Sequence, residues 1–128
     1  MIPFLDLKRI NDQYAAEIRA GIERVLDSGW YVLGDEVASF EREFAGYCEV
    51  AHCIGVANGL DALQLILRAY GIGEGDEVIV PSNTFIATWL AVSQCGARPV
   101  PVDPDPCTHN LDPAMIERAI TKHTRAVL

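Results

Sequence analysis

Basic residues are scarce in this sequence. Ten Lys and Arg stand against 18 Asp and Glu, giving a formal net charge of −8 and a pI near 4.7. Nucleic-acid binders usually carry a basic face, because phosphate neutralisation supplies most of their affinity, and nothing here provides one. An anionic ligand must be held locally, by backbone N–H groups or single arginines. Long apolar runs are missing as well. The longest apolar-leaning stretch, residues 85–92, is far too short to span a bilayer. Residues 1–8 place Asp6 before Lys8 and lack the basic-then-apolar order of a secretory signal, so a cytoplasmic protein is expected.

Paired cysteine motifs are also absent. Cys48, Cys53, Cys95 and Cys107 show no C-x-x-C spacing. The spacing of Cys48, His52 and Cys53 does not match a zinc ligand pattern, and reduced thiols acting as small apolar residues are the plainer expectation. There is no G-x-G-x-x-G, no P-loop and no G-x-S-x-G around Ser82. His52, His109 and His123 are scattered, without a nucleophile or metal partner in sequence.

What is present builds a core. Half of the residues are apolar and 22% are charged, a soluble globular composition. The length of 128 residues suits one domain or part of a larger one. Tyr14, Ile18, Ile22, Val25 and Leu26 recur at helical spacing, with Asn11 as a candidate cap and Gly29 as a left-handed stop. Val37, Phe40, Phe44, Tyr47 and Cys48 mark a second helix. Between them, Ser28-Gly29-Trp30-Tyr31-Val32-Leu33-Gly34 reads as a structured loop.

The rhythm then alternates. Residues 53–57 read as a buried strand and 60–70 as a helix with Leu63, Leu67 and Tyr70 inward. Gly71 is placed to end that helix, with Ile72 packing back. Residues 77–80 read as a strand stopped by Pro81, 85–95 as a helix closed by Gly96, and 98–102 as a strand. Pro99 and Pro101 place that strand at an edge or end. Asp112 and Pro113 begin another helix as cap and first residue, with Ile116, Ala119 and Ile120 inward, and 125–128 start a further strand. Strand–helix alternation predicts an α/β fold with a largely parallel sheet.

Two strand-to-helix transitions could carry chemistry. At Asn58-Gly59 a strand ends and a helix begins at once, so free N–H groups and the helix dipole form a natural anion site. Gly59 admits close approach of a phosphate. Asp61 suits the dipole but repels an anion unless it points away. An ordinary turn capped by Asn58 would look the same. At residues 80–88, Ser82, Asn83 and Thr84 offer polar groups and Phe85 a flat face. Ligands of parallel sheets gather at the carboxyl ends of strands, so both transitions are expected to face one crevice. The alternative is that Ser82 or Asn83 caps the helix and Phe85 is core.

Taken in order, these segments resemble the DegT/DnrJ/StrS family of sugar aminotransferases. The matching pieces are Ile2-Pro3-Phe4-Leu5-Asp6-Leu7, the Ser28 to Gly34 loop, Ala57-Asn58-Gly59-Leu60-Asp61-Ala62-Leu63, Gly75-Asp76-Glu77-Val78-Ile79-Val80-Pro81, Ser82-Asn83-Thr84-Phe85, and the stretches 99–103 and 110–113. Each is weak alone; the ordered series is specific and covers essentially the whole chain. The resemblance implies the N-terminal part of the large domain of a fold-type-I transferase that depends on pyridoxal 5'-phosphate. The rest of that domain and a small C-terminal domain are not in these 128 residues. It implies a homodimer that moves an amino group, usually from glutamate, to a keto group on a nucleotide-linked sugar. The products enter polysaccharide, lipopolysaccharide or glycosylated antibiotics. Gly59, Leu60 and Asp61 match the positions that hold the cofactor phosphate, mainly through backbone N–H groups. Leu60 departs from the Thr or Ser found in many members and removes a hydroxyl. Phe85 matches the aromatic that stacks on the pyridine ring. Trp30 and Tyr31 look like part of the loop near the substrate or the dimer interface, and Asn83 is a candidate substrate contact. The Asn58 to Leu63 and Pro81 to Thr84 segments look most like the branch that aminates C3 of dTDP-3-keto-6-deoxyhexoses. Neither Lys8 nor Lys122 sits in the motif of the lysine that carries the family's cofactor, so this chain alone is expected to be inactive. The other readings are a non-catalytic phosphate-binding or dimerisation module, and an unrelated α/β nucleotide-binding domain.

Overall fold

The computed structural model describes residues 4–128; Ile2 and Pro3, which belong to the first matching motif, lie outside them. The chain divides into two compact units, residues 1–55 and 56–128.

The first unit is helical. Helix α1 spans Leu7–Asp12, α2 Ala15–Ser28 and α3 Asp35–Tyr47. Asp6 caps α1 by accepting the Arg9 N–H at 3.0 Å. Asn11, expected to cap the first long helix, lies inside α1 instead; α2 starts at Tyr14 with no side-chain cap. Gly29 ends α2 in the left-handed region at φ 66°, as its sequence position predicts. The Asp35 and Glu36 carboxylates occupy the first turn of α3 and suit its dipole. Arg24 and Glu36 form a two-pronged exposed ion pair at 2.6 and 3.0 Å. Only Ala45 of α3 is buried, while Ile18, Ile22 and Leu26 of α2 and Phe40, Phe44 and Tyr47 of α3 are exposed. The strand expected at 53–57 is not formed. An extended segment needs a neighbour for its N–H and C=O groups, and among the described residues none pairs with it as a strand.

The second unit carries the sheet. Helix α4 spans Gly59–Ala69, strand β1 Glu77–Pro81, helix α5 Ile86–Gln94, strand β2 Arg98–Val102, helix α6 Pro113–Ala119 and strand β3 Thr124–Val127. The strands run parallel in the order β2-β1-β3, with Ile79 opposite Val100 on one side and Val127 on the other. Central β1 is buried from Glu77 to Val80, the near-continuous apolar pattern of a parallel strand covered on both faces. In β2 the Arg98 N–H donates inward to Asp76 O at 2.9 Å. Alternation then turns positions 99 and 101 outward, where proline's missing N–H costs nothing.

Leu67, Ile72, Val78, Val80, Ala91, Val92 and Ala97 form the core, with Leu60, Leu63 and Trp89 packed against it. Full burial of each large aliphatic side chain is worth about 1.5–3 kcal/mol. Both long helices end in the same way. Past α4, the Gly71 N–H bonds Arg68 O and the Ile72 N–H bonds Leu67 O; past α5, Gly96 bonds Ser93 O and Ala97 bonds Val92 O. Tyr70, expected inward, is the exposed C-cap of α4, and Ile120 at the end of α6 is also exposed. Asp112 caps α6 and Pro113 opens it.

Candidate functional site

The direction of the helices defines the site. Helix α5 leaves the carboxyl end of β1 and returns to the start of β2. Helix α4 delivers the chain to the start of β1 through a short connection, and a Cβ placed on Gly73 of that connection would lie 3.4 Å from Cys95 O at the end of α5. The C-terminal ends of α4 and α5 thus meet at the amino edge of the sheet. Their N-termini lie toward the carboxyl edge, where β1 and β2 finish.

At the start of α4, Asn58 is the cap. Its Oδ1 accepts the Asp61 N–H at 3.0 Å and its Nδ2 donates to Asp61 Oδ2 at 3.1 Å. The Ala62 N–H bonds Asn58 O at 3.1 Å. Among the described residues, the Gly59 and Leu60 N–H groups have no acceptor. The Leu60 side chain packs against the core. A Cβ on Gly59 would meet nothing within 4 Å, so the space beside Gly59 is open.

Phe85 is the extended N-cap residue of α5 and is 78% exposed. It is neither in the core nor inside the helix. Asn83 Nδ2 donates to His109 O at 3.3 Å, and neither Ser82 nor Asn83 caps α5. Gly59, Leu60, Asp61, Asn83 and Phe85 therefore all belong to helix starts or turns at one edge of the second unit. Trp30 and Tyr31 belong to the first unit and are exposed. There, Trp30 Nε1 donates to Val32 O at 2.6 Å, and both residues line a concavity of about 130 Å³ beside Arg24 and Glu36. A Cβ on Gly34 would come within 3.0 Å of Trp30 O, so glycine permits the tight path of this loop.

One pair at the carboxyl edge escaped sequence reasoning. Ser82 Oγ donates to Asp103 Oδ1 at 2.7 Å. The only signal was a lone Asp directly after a strand.

The sequence matches the DegT/DnrJ/EryC1/StrS aminotransferase family over residues 12–128. The chain belongs to this family. It is 62% identical over its full length to a dTDP-3-amino-3,6-dideoxy-α-D-galactopyranose transaminase of Aneurinibacillus thermoaerophilus, covering 35% of that protein. The crystal structure of Streptomyces venezuelae DesV in complex with a ketimine intermediate is 60% identical, with a TM-score of 0.94 over 98% of this chain and 34% of DesV. NtdA of Bacillus subtilis, solved with bound cofactor PMP, is 35% identical with a TM-score of 0.91 over 98% of this chain and 29% of NtdA. The chain thus spans about a third of the length of these DegT/DnrJ relatives. Its α/β fold with a parallel sheet is that of pyridoxal-phosphate aminotransferases, and membership implies that cofactor. Among the described residues, no helix is long and apolar enough to cross a membrane.

The residues present fit such a group. Two unfilled N–H groups at a helix start suit a phosphate, the open space at Gly59 admits it, and an exposed aromatic at the same edge suits a flat ring.

Proposed function

We propose that this chain forms part of the large, cofactor-binding domain of a homodimeric nucleotide-sugar aminotransferase, completed by the rest of that domain and a smaller C-terminal domain. The observation that carries the reading is the start of α4, where Gly59 and Leu60 offer free N–H groups and the space beside Gly59 is open, at the sheet edge that presents Phe85. The Gly59 and Leu60 N–H groups would hold the cofactor phosphate, and Phe85 would offer its ring to the pyridine. Asp61 stays tied to Asn58, which draws its carboxylate toward the cap. Bound pyridoxal phosphate supplies the electron sink through which an amino group leaves one carbon skeleton and joins another. The acceptor is the C3 keto group of a dTDP-3-keto-6-deoxyhexose and the donor is glutamate. The 62% identity to a transaminase named for a dTDP-3-amino sugar supports this choice. Asn83, in the turn before Phe85, faces the sugar nucleotide.

The test uses calorimetric titration with pyridoxamine phosphate, which has no aldehyde to condense with Lys8 or Lys122. Weak, saturable binding competed by inorganic phosphate is expected. Gly59→Val should weaken it about tenfold or more by blocking two charge-assisted hydrogen bonds. The added side chain starts in open space, so the fold should survive, as circular dichroism would check. Phe85→Ala should cost about 1 kcal/mol of stacking beyond burial, and Phe85→Tyr should not. Equal affinity in Gly59→Val with the fold intact would sink the reading.

A further inference from the structure

Phe85 takes its direction from the backbone, because a ring 78% exposed has little packing to orient it. The backbone reaches it from β1 through residues 82–84, and that turn is held from one side. The Ser82 N–H donates to Val102 O at 2.9 Å. Ser82 Oγ donates to Asp103 Oδ1 at 2.7 Å, and Asn83 Nδ2 to His109 O at 3.3 Å. All three acceptors lie at the end of β2 or in the loop after it. That loop is closed on itself. Pro104 and Leu111 form an antiparallel bridge, and the Asp105 N–H bonds Asn110 O at 2.9 Å. The Asp105 carboxylate takes the Cys107 and Thr108 N–H groups at 2.9 and 2.8 Å. Of the three bonds that hold the turn, Ser82–Asp103 is the shortest and the one accepted by a carboxylate. Asp103 is exposed, so burial of its side chain gives little reason for it to be there.

We infer that Asp103 is a positioning residue: through Ser82 it fixes the β1–α5 turn, and with it the plane that Phe85 presents to the cofactor ring. The inference rests on the role of Phe85 proposed above. Three variants test it, Asp103→Ala, Ser82→Ala and Asp103→Asn, each at an exposed side chain. The readouts are amide hydrogen exchange, the NMR signals of the Phe85 ring and the affinity for pyridoxamine phosphate. Asp103→Ala should speed exchange at Ser82 and Thr84 about tenfold, the scale of one hydrogen bond to a charged group, and leave Val78 to Val80 unchanged. Its Phe85 ring signals should shift and its affinity fall severalfold. Ser82→Ala should reproduce these effects, and the double variant should add nothing. Asp103→Asn should restore them in part, since its amide oxygen can still accept the Ser82 hydroxyl but as a neutral, weaker acceptor; a purely steric role would predict full rescue by this side chain of the same shape. Unchanged exchange in both alanine variants overturns the inference. Faster exchange with unmoved Phe85 signals overturns it too, whether or not ligand binds. Failure of the unaltered chain to bind pyridoxamine phosphate would instead remove the proposed function, leaving exchange and ring signals to decide the positioning of Phe85.

Discussion

Glu49 occupies a position where a helix end favours glycine. Helices α4 and α5 end through Gly71 and Gly96 at φ 67° and 84°. Helix α3 ends with the same pair of hydrogen bonds, Glu49 N–H to Gly46 O at 3.2 Å and Val50 N–H to Ala45 O at 3.0 Å. Its left-handed residue, however, is a glutamate at φ 55°. That conformation costs an L-residue about 1–2 kcal/mol, and replacing it with glycine returns about 0.5–1 kcal/mol of that as flexibility lost on folding. Glu49→Gly should therefore stabilise the end of α3 by roughly 0.5–1 kcal/mol. Amide exchange at Val50, whose N–H closes the motif, should slow a few-fold. Unchanged or faster exchange would mean that glutamate is not strained there. Leu33 at φ 52° and His109 at φ 60° are the other non-glycine residues in this region among the described residues; His109 is the one beside Asn83. Its carbonyl receives the Asn83 amide, so here the unusual conformation lies in a loop that touches the site.

At the scale of elements, β1 is tied at both ends. At its carboxyl end the tie is Ser82 to Asp103. At its amino end it is Glu77, a buried carboxylate in an otherwise apolar strand. Glu77 accepts from Thr121 Oγ1 at 2.7 Å, from the turn before β3, and pairs with Arg98 at the start of β2. Its N–H donates to His123 O at 2.9 Å. One side chain thus links β1 to the start of β2 and to the turn that leads into β3. The Thr121 hydroxyl and then the Arg98 guanidinium hold its carboxyl below the ordinary glutamate range. A carboxyl so lowered stabilises the fold fully above its unfolded value of about 4.3, and the contribution is lost as pH falls through the lower folded value. Urea midpoints of the unaltered chain and Glu77→Gln should differ by a constant amount from pH 7 to 5. The gap should narrow below about pH 4.3. Curves that stay parallel to pH 3 would deny Glu77 this role. The elements themselves were largely legible, because local residues punctuate them: Gly71, Pro81, Gly96 and the Asp112-Pro113 pair. The break between α1 and α2 has no such mark, since neither Gln13 nor Tyr14 is a breaker. The segment 53–57 reads as a strand by composition, but strand formation depends on a partner that local composition cannot supply. The site divides along the same line. Gly59 and Phe85 stand out as helix starts beside expected strands. Ser82 and Asp103 are 21 residues apart, and only the β1–β2 register brings them together.

At the scale of the whole molecule, the placement of lysines sets a limit on chemistry. Amino transfer by this cofactor uses a lysine amine that engages its aldehyde and moves a proton at the substrate carbon, which requires contact distance. The chain has two lysines. Lys8 lies in α1 of the first unit and pairs with Asp12. Lys122 lies in the turn between α6 and β3, at the amino edge of the sheet, since His123 beside it bonds the first residue of β1. Phe85 lies past the opposite end of β1. That strand has five residues, a span of about 16 Å at 3.3 Å per residue, and a four-carbon stem does not bridge it. Exposed apolar residues such as Ile22, Leu26, Phe40 and Phe44 are more than a lone domain usually leaves to solvent, which suits a chain matching a third of its relatives' length. Binding and turnover should therefore separate. With pyridoxal phosphate, glutamate and a dTDP-linked keto-sugar, the 128-residue chain should yield no amino sugar by mass spectrometry. Borohydride trapping and peptide mapping should find no lysine labelled in a phosphate-competable way. Turnover abolished by Lys122→Ala or Lys8→Ala would show that one of these amines reaches the cofactor, and the assignment of the α4 and α5 starts as its binding edge would then have to be abandoned.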